Sequence, residues 1–188
     1  GYTVLFQSAS LAVTQPLYRK LNYSAVRDLA PVLLVSSTPL VLVVHPSVPA
    51  KSVKDLVALA KANPGKLNYA STSSGTTSHL SAELFKTMTG TRITHIPYKG
   101  SGPAVTALMG GEIDMLFSPM PPTVPLVKAG RIRALAVTTF KRSPVMPDVP
   151  AMNDTLKGFE SDNWYGMFFP AGTPREIINR FHAEMSKV

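Results

Sequence analysis

The stretch Leu67-Asn68-Tyr69-Ala70-Ser71-Thr72-Ser73-Ser74-Gly75-Thr76-Thr77-Ser78 sets the fold class. Leu67 to Ala70 is a short strand. Ser71 to Ser78 then places seven hydroxyl side chains and one glycine in eight positions. A helix follows, with Leu80, Leu84, Phe85 and Met88 at helical spacing and Gly90 at its end. A strand that passes through a loop into a helix is half of a βα crossover, the building unit of α/β proteins.

The same rhythm extends in both directions. Before it, Val32–Val35 and Leu40–Val44 read as two buried strands separated by Thr38-Pro39. Ser52 then caps a helix with Asp55 three residues on, and Val53, Leu56, Val57 and Ala60 share one face. Asn63-Pro64-Gly65 stops that helix. After the central stretch come a strand at Thr94–Ile96, the loop Lys99-Gly100-Ser101-Gly102 and a helix from Pro103 to Met109. Ile113–Phe117 and Arg133–Thr138 are strands, with a short helix over Pro122–Ala129 between them. Asp148–Glu160 reads as loop and Trp164–Phe169 as strand. Thr173, Pro174 and Glu176 carry the cap, first-position and box signals of a last helix. At the other end, Tyr2–Phe6 reads as a buried strand, Gln7 to Ser10 as a loop and Pro16–Asp28 as irregular. Alternation of this kind predicts right-handed crossovers and a mostly parallel sheet.

Composition narrows the function classes. With 188 residues, 45% of them hydrophobic and 16% charged, the chain can bury a core in one domain or two small lobes. No cysteine is present, which removes disulfides, thiolate catalysis and Cys-ligated zinc. The net charge of +8 favours anionic partners. The basic residues are scattered, however, with no basic and aromatic stripe, so nucleic acid is not expected. The most apolar stretch, from Ala30 to Val44, is interrupted by Ser36-Ser37-Thr38-Pro39 and is no membrane span.

The run Ser71 to Ser78 is the candidate site. It stands after a strand and before a helix, where ligands of open α/β folds bind. A helix start offers backbone N–H donors and a partial positive charge, and small residues let an anion approach them. One hydroxyl is enough for a cap, so the surplus points to a carboxylate or phosphate. The Lys99-Gly100 loop occupies the same position in the next unit but lacks P-loop spacing. Ser118 ends the following strand. His45, His79, His95 and His182 show no metal-ligand spacing, and no Gly-x-Ser-x-Gly elbow occurs. A small hydrolase using Ser71 or Ser74 with His79 is the weakest reading. Glu112 and Asp114 fall on one face of a strand end, and Trp164 reads as core.

Several stretches together resemble one family: Gly1-Tyr2-Thr3-Val4-Leu5, Pro64-Gly65-Lys66-Leu67-Asn68-Tyr69-Ala70-Ser71, His79-Leu80 with Glu83-Leu84-Phe85, His95-Ile96-Pro97-Tyr98-Lys99-Gly100, Arg133-Ala134-Leu135-Ala136-Val137-Thr138 and Pro170-Ala171-Gly172-Thr173-Pro174. In this order they resemble the Bug-type receptors of tripartite tricarboxylate transporters, over essentially the whole chain. The resemblance implies an α/β, two-lobed periplasmic-binding-protein-like fold of type II, the Venus flytrap, incomplete at both ends. The expected division is 1–45 as part of lobe one, 46–163 as lobe two and 164–188 as a return to lobe one.

It implies a periplasmic, monomeric, non-enzymatic receptor that captures a small carboxylate between lobes, with no cofactor or metal. Its partners would be that ligand and the membrane components of the transporter. Carried over by position, the ligand-binding set is Ser8, Ser71, Thr72, Ser73, Ser74, Gly75, Thr76, Thr77, Lys99, Gly100 and Ser118. One departure is Ser73, which stands where the family loop usually has glycine. The alternative is the effector-binding domain of a LysR-like transcription regulator, which shares the two-lobed fold.

Overall fold

The computed structural model describes residues 3–18 and 20–187. Its elements run β1 (Leu5–Ser8), α1 (Ser10–Leu17), α2 (Ala25–Asp28), β2 (Leu29–Val44), α3 (Val53–Ala62), β3 (Asn68–Ser71), α4 (Thr77–Thr89) and β4 (Thr94–Pro97). They continue with α5 (Ser101–Met109), β5 (Met115–Pro119), α6 (Met120–Lys128), β6 (Arg133–Val137), α7 (Met152–Thr155), β7 (Asp162–Pro170) and α8 (Arg175–Met185). The chain divides into two compact units. Unit 1 takes Gly1–Ser37 with Asn163–Val188, and unit 2 takes Thr38–Asp162.

Unit 2 is a sheet covered on both faces. β2 pairs antiparallel with β5 and with β6, while β3 pairs parallel with both β4 and β5. The pleat sends alternate side chains to opposite faces. From β2, Leu40, Leu42 and Val44 join Tyr69, Met115 and Phe117 against Leu56 of α3 and Phe85 of α4. Val41 and Val43 join Ala70, Leu116 and Val137 against α5 and α6 on the other side. Burial on both faces is why Leu40–Val44 is a continuous apolar run rather than an alternating one.

In unit 1, β1 pairs antiparallel with β7 from Leu5↔Phe168 to Ser8↔Tyr165. β7 also pairs with β2. At Gly166 the backbone is close: an added Cβ would lie 3.2 Å from the Phe168 ring and 3.4 Å from the Leu33 carbonyl.

The structure corrects several local expectations. Val32–Val35 and Leu40–Val44 belong to one 16-residue strand, with Pro39 inside it. Proline is tolerated there because the registers with β5 and β6 begin only at Leu40 and Val41. The sheet of unit 2 is mixed, since β2 runs against β5 and β6. β1 starts at Leu5, three residues later than read, and includes Gln7 and Ser8; the part of that reading on Tyr2 lies outside the described residues. The stretch read as loop and irregular chain contains α1 and α2. α1 has no side-chain cap and carries Pro16 in its last turn, so it sends no start or stop signal. α5 begins at Ser101, two residues before Pro103. In α8 the cap position is Pro174, and the Thr173 hydroxyl donates to the Pro170 carbonyl instead. Trp164 is half-buried, beside an apolar crevice of about 340 Å³ lined by Leu11, Val26 and Phe168 among others.

α3 forms as read. Ser52 Oγ accepts from the Asp55 N–H at 3.1 Å, and Asp55 reaches back to the Lys51 N–H at 3.0 Å. Ser52→Ala is expected to lower the unfolding free energy by about 1 kcal/mol, as loss of a single N-cap does, with no change in urea m-value. Urea titration of the two proteins measures it.

Candidate functional site at the carboxyl edge of unit 2

The parallel strands β3, β4 and β5 end on the same edge of unit 2, and each passes there into a helix. β6, antiparallel to β2 as β5 is, ends on that edge too. There Thr138 Oγ1 accepts from the Leu40 N–H at 2.9 Å. The turn after β3 spans Thr72 to Thr76. Gly75 provides its bend with φ of 79°, a conformation that costs a Cβ-bearing residue energy.

Within this turn, Thr72 Oγ1 donates to Thr76 Oγ1 at 3.1 Å, and Thr76 Oγ1 donates to the Ser73 carbonyl at 2.7 Å. Thr76 is the N-cap of the 13-residue α4, yet its side chain caps no helix amide. Ser73 and Ser74 are exposed, and Thr72 and Thr76 are half-buried. The next loop lies alongside. The Gly100 N–H donates to the Thr72 carbonyl at 2.8 Å and the Tyr98 N–H to the Ser71 carbonyl at 3.0 Å. Gly100 takes φ of 107°, and the exposed Lys99 precedes it. The positions from Ser71 to Thr77 and the Lys99-Gly100 loop are therefore neighbours.

Two of the candidate serines are interior. Ser71 is fully buried and shares a 2.6 Å hydrogen bond with His95 Nε2. Ser118 is also fully buried and accepts from Thr123 Oγ1 at 2.7 Å. Ser8 belongs to unit 1, where its Oγ lies 2.8 Å from Ser10 Oγ. The buried face of α4 is not the Leu80, Leu84 and Met88 row. Leu84 and Met88 are exposed, and Ser78, Ser81, Ala82, Phe85 and Thr89 face inward. Small hydroxyl residues bring the helix close to the sheet: Ser78 Oγ donates to the Phe117 carbonyl at 2.6 Å. Glu112 and Asp114 precede β5 and form no carboxylate pair. Asp114 exchanges hydrogen bonds with Asn68, accepting from its N–H at 2.7 Å and donating its own N–H to Asn68 Oδ1 at 2.9 Å.

Beneath the turn lies a cluster that sequence reasoning missed. Tyr69, His95 and His79 stack in a row, with ring centroids 4.8 Å apart between Tyr69 and His95 and 4.3 Å between the histidines. His79 Nδ1 accepts from the Gly75 N–H at 3.1 Å. Glu83 Oε1 accepts from Tyr69 Oη and from Lys86 Nζ and lies 3.9 Å from His79 Nε2. Burial pushes the Tyr69 phenol well above its usual value, and the bond to Glu83 adds to this. Burial works against the charge of Glu83, but the bonds from Lys86 and Tyr69 outweigh it and hold the carboxyl below the ordinary range. His95 is held below the ordinary histidine value by burial first and by the neighbouring His79 second. His79 and Glu83, four residues apart on α4, are the part of this cluster visible in the sequence, whereas the meeting of Tyr69 and His95 depends on the register of β3 with β4.

Among the described residues no group of three or more His, Asp or Glu could hold a metal ion, and no helix is long and apolar enough to cross a membrane. Among the described residues, no side-chain hydrogen bond joins the exposed Ser73 or Ser74 to a base, and Ser71, which meets His95, is buried.

Residues 1–188 match the family described as tripartite tricarboxylate transporter family receptor. The chain belongs to that family. The match covers every element of both units, and it decides between receptor and LysR-like regulator at the level of family. Protein BugT of Bordetella pertussis is 40% identical over 181 residues, which is 95% of this chain and 56% of BugT. A solved structure of Rpa4515 from R. palustris with adipate superposes with a TM-score of 0.90 at 38% identity, covering 98% of this chain and 62% of that one. MatC from Rhodopseudomonas palustris with bound malate gives a TM-score of 0.87 at 29% identity, covering 98% and 63%. The fold is thus the mixed α/β fold of periplasmic binding proteins of this family. This chain spans a little over half the length of the curated relatives it matches, 56% of BugT among them.

Proposed function

We propose that this chain is part of a periplasmic, monomeric receptor that binds a small carboxylate at the carboxyl edge of unit 2. The receptor delivers it to the membrane components of a tripartite tricarboxylate-type transporter and catalyses no reaction. In this reading the two units are parts of the two lobes, and Ser8 of unit 1 belongs to the ligand-facing set with Ser71 to Thr77, Lys99, Gly100 and Ser118.

One observation carries the proposal. A turn made almost wholly of hydroxyl residues leads into α4, yet the hydroxyl of its N-cap residue, Thr76, points to Ser73 and caps no amide of the helix. A carboxylate is the natural partner for such a helix start, since charge-assisted bonds to N–H donors are about twice as strong as neutral ones. Gly75 lets it approach, and Lys99 on the adjoining loop adds positive charge. The solved relatives that hold adipate and malate support a small dicarboxylate. Ser71 and Ser118, being buried, act in this reading as supports of the edge through His95 and Thr123.

In a thermal-shift series of adipate, malate, aromatic acids and amino acids on the full-length receptor, at least one acid is expected to raise the melting temperature, and the corresponding amide is not. A ligand at 100 times its Kd stabilises the folded state by about 2.7 kcal/mol, a shift of several degrees. A flat response of the full-length receptor to every acid would overturn the proposal.

A further inference from the structure

The imidazoles under the turn do more than fill space. His95 holds Ser71, the last residue of β3, and His79 holds Gly75, the bend of the turn. The two rings stack at 4.3 Å with an interplanar angle of 22°. The pair therefore grips the turn at both ends. The grip on Gly75 has a chemical condition: a backbone N–H can donate to an imidazole nitrogen only if that nitrogen has a free lone pair. We infer that His79 and His95 are positioning residues for the turn after β3, a stacked pair that fixes its backbone only while His79 Nδ1 carries no proton. This rests on the reading of the turn as the carboxylate site.

The groups facing the pair are Tyr69 from β3 and Glu83 and Lys86 from α4. Glu83 lies near His79 Nε2, but Lys86 and Tyr69 already donate to it. A second proton on His79 would place an N–H against the Gly75 N–H and a positive ring against His95. Burial disfavours charge on His95, so its neutral form is the one the fold prefers. For His95, a base held below its ordinary value, the stabilising contribution is present above pH 6.5 and is lost as the pH falls below that value. By reciprocity, a ligand that needs the turn in place opposes protonation of the pair.

The test is amide hydrogen exchange of the whole chain at pH 7.5 and pH 5, corrected for intrinsic rates, with adipate binding measured by calorimetry on the same samples. Protection of the Gly75 amide is expected to fall roughly tenfold at pH 5, as loss of one hydrogen bond allows, while amides in the middle of α4 hold theirs. Adipate affinity should fall with it. His79→Asn, whose Oδ1 replaces Nδ1 as an acceptor but does not titrate, should flatten the pH profile. His79→Phe should lose the Gly75 protection at both pH values. Gly75 protection in the wild type that does not change with pH overturns the inference even if adipate binds. Protection that responds as described, with none of the acids of the thermal-shift series binding at either pH, upholds the pair and overturns the carboxylate reading.

Discussion

Replacing Phe117 by alanine is expected to lower the unfolding free energy by about 3–5 kcal/mol, a large share of the roughly 5–15 kcal/mol that holds a domain together. Phe117 is fully buried in the middle of β5. Its ring stacks on Phe159 at 6.1 Å and meets Phe85 of α4 at the same distance, tilted by 59°. Truncation leaves a cavity between the sheet and α4 that the neighbouring strands cannot close, because β2, β3 and β5 are tied by their ladders. The backbone of the same residue anchors α4 through Ser78, so a weakened core here also loosens the helix that begins at the candidate site. Urea unfolding measures the loss. A change below about 1 kcal/mol would mean that the face of unit 2 under α3 and α4 is not the packed core described.

The second large effect falls on the site rather than the core. Gly75→Val is expected to weaken binding of the proposed carboxylate, with adipate as the probe, by roughly 10- to 100-fold, the equivalent of about 1–3 kcal/mol of backbone strain. Gly75 is buried and has φ of 79°, which a β-branched residue adopts only at such a cost. The chain escapes the strain by moving the turn, which breaks the bond from the Gly75 N–H to His79 and displaces the donors at the start of α4. Gly75 is buried, so the valine side chain adds a packing cost of its own to global stability. Calorimetry with adipate, paired with urea unfolding, separates the two effects. Affinity within twofold of the wild type would show that the turn does not need this backbone.

What the sequence made legible is local. Ser52 and Asp55 announce α3 because a cap is a contact between residues three apart. Gly90 ends α4 in the left-handed conformation that glycine signals. The hydroxyl-rich run between β3 and α4 marks the candidate edge because an unusual composition at a strand-to-helix turn is visible without any partner. The parts that stayed hidden depend on distant chain. β2 runs on through Pro39 because of where its partner strands begin, which no window around Pro39 shows. The inward face of α4 carries Ser78 and Ser81 because the sheet lies close, so the apolar row Leu80, Leu84 and Met88 misleads as to its packing side. The Tyr69, His95 and His79 stack joins three elements and depends on the register of β3 with β4. α1 was unreadable because an uncapped helix with a proline in its last turn has neither end marked.

The most direct measurement of a carboxylate at the edge of unit 2 is a backbone amide NMR titration of the chain with adipate. A ligand held by the start of α4 and the adjoining loop shifts the amides of Ser73 to Ser78 and of Gly100 most strongly, in one saturable step, and adipamide leaves them in place. A carboxylate that binds while those amides stay unmoved would contradict it.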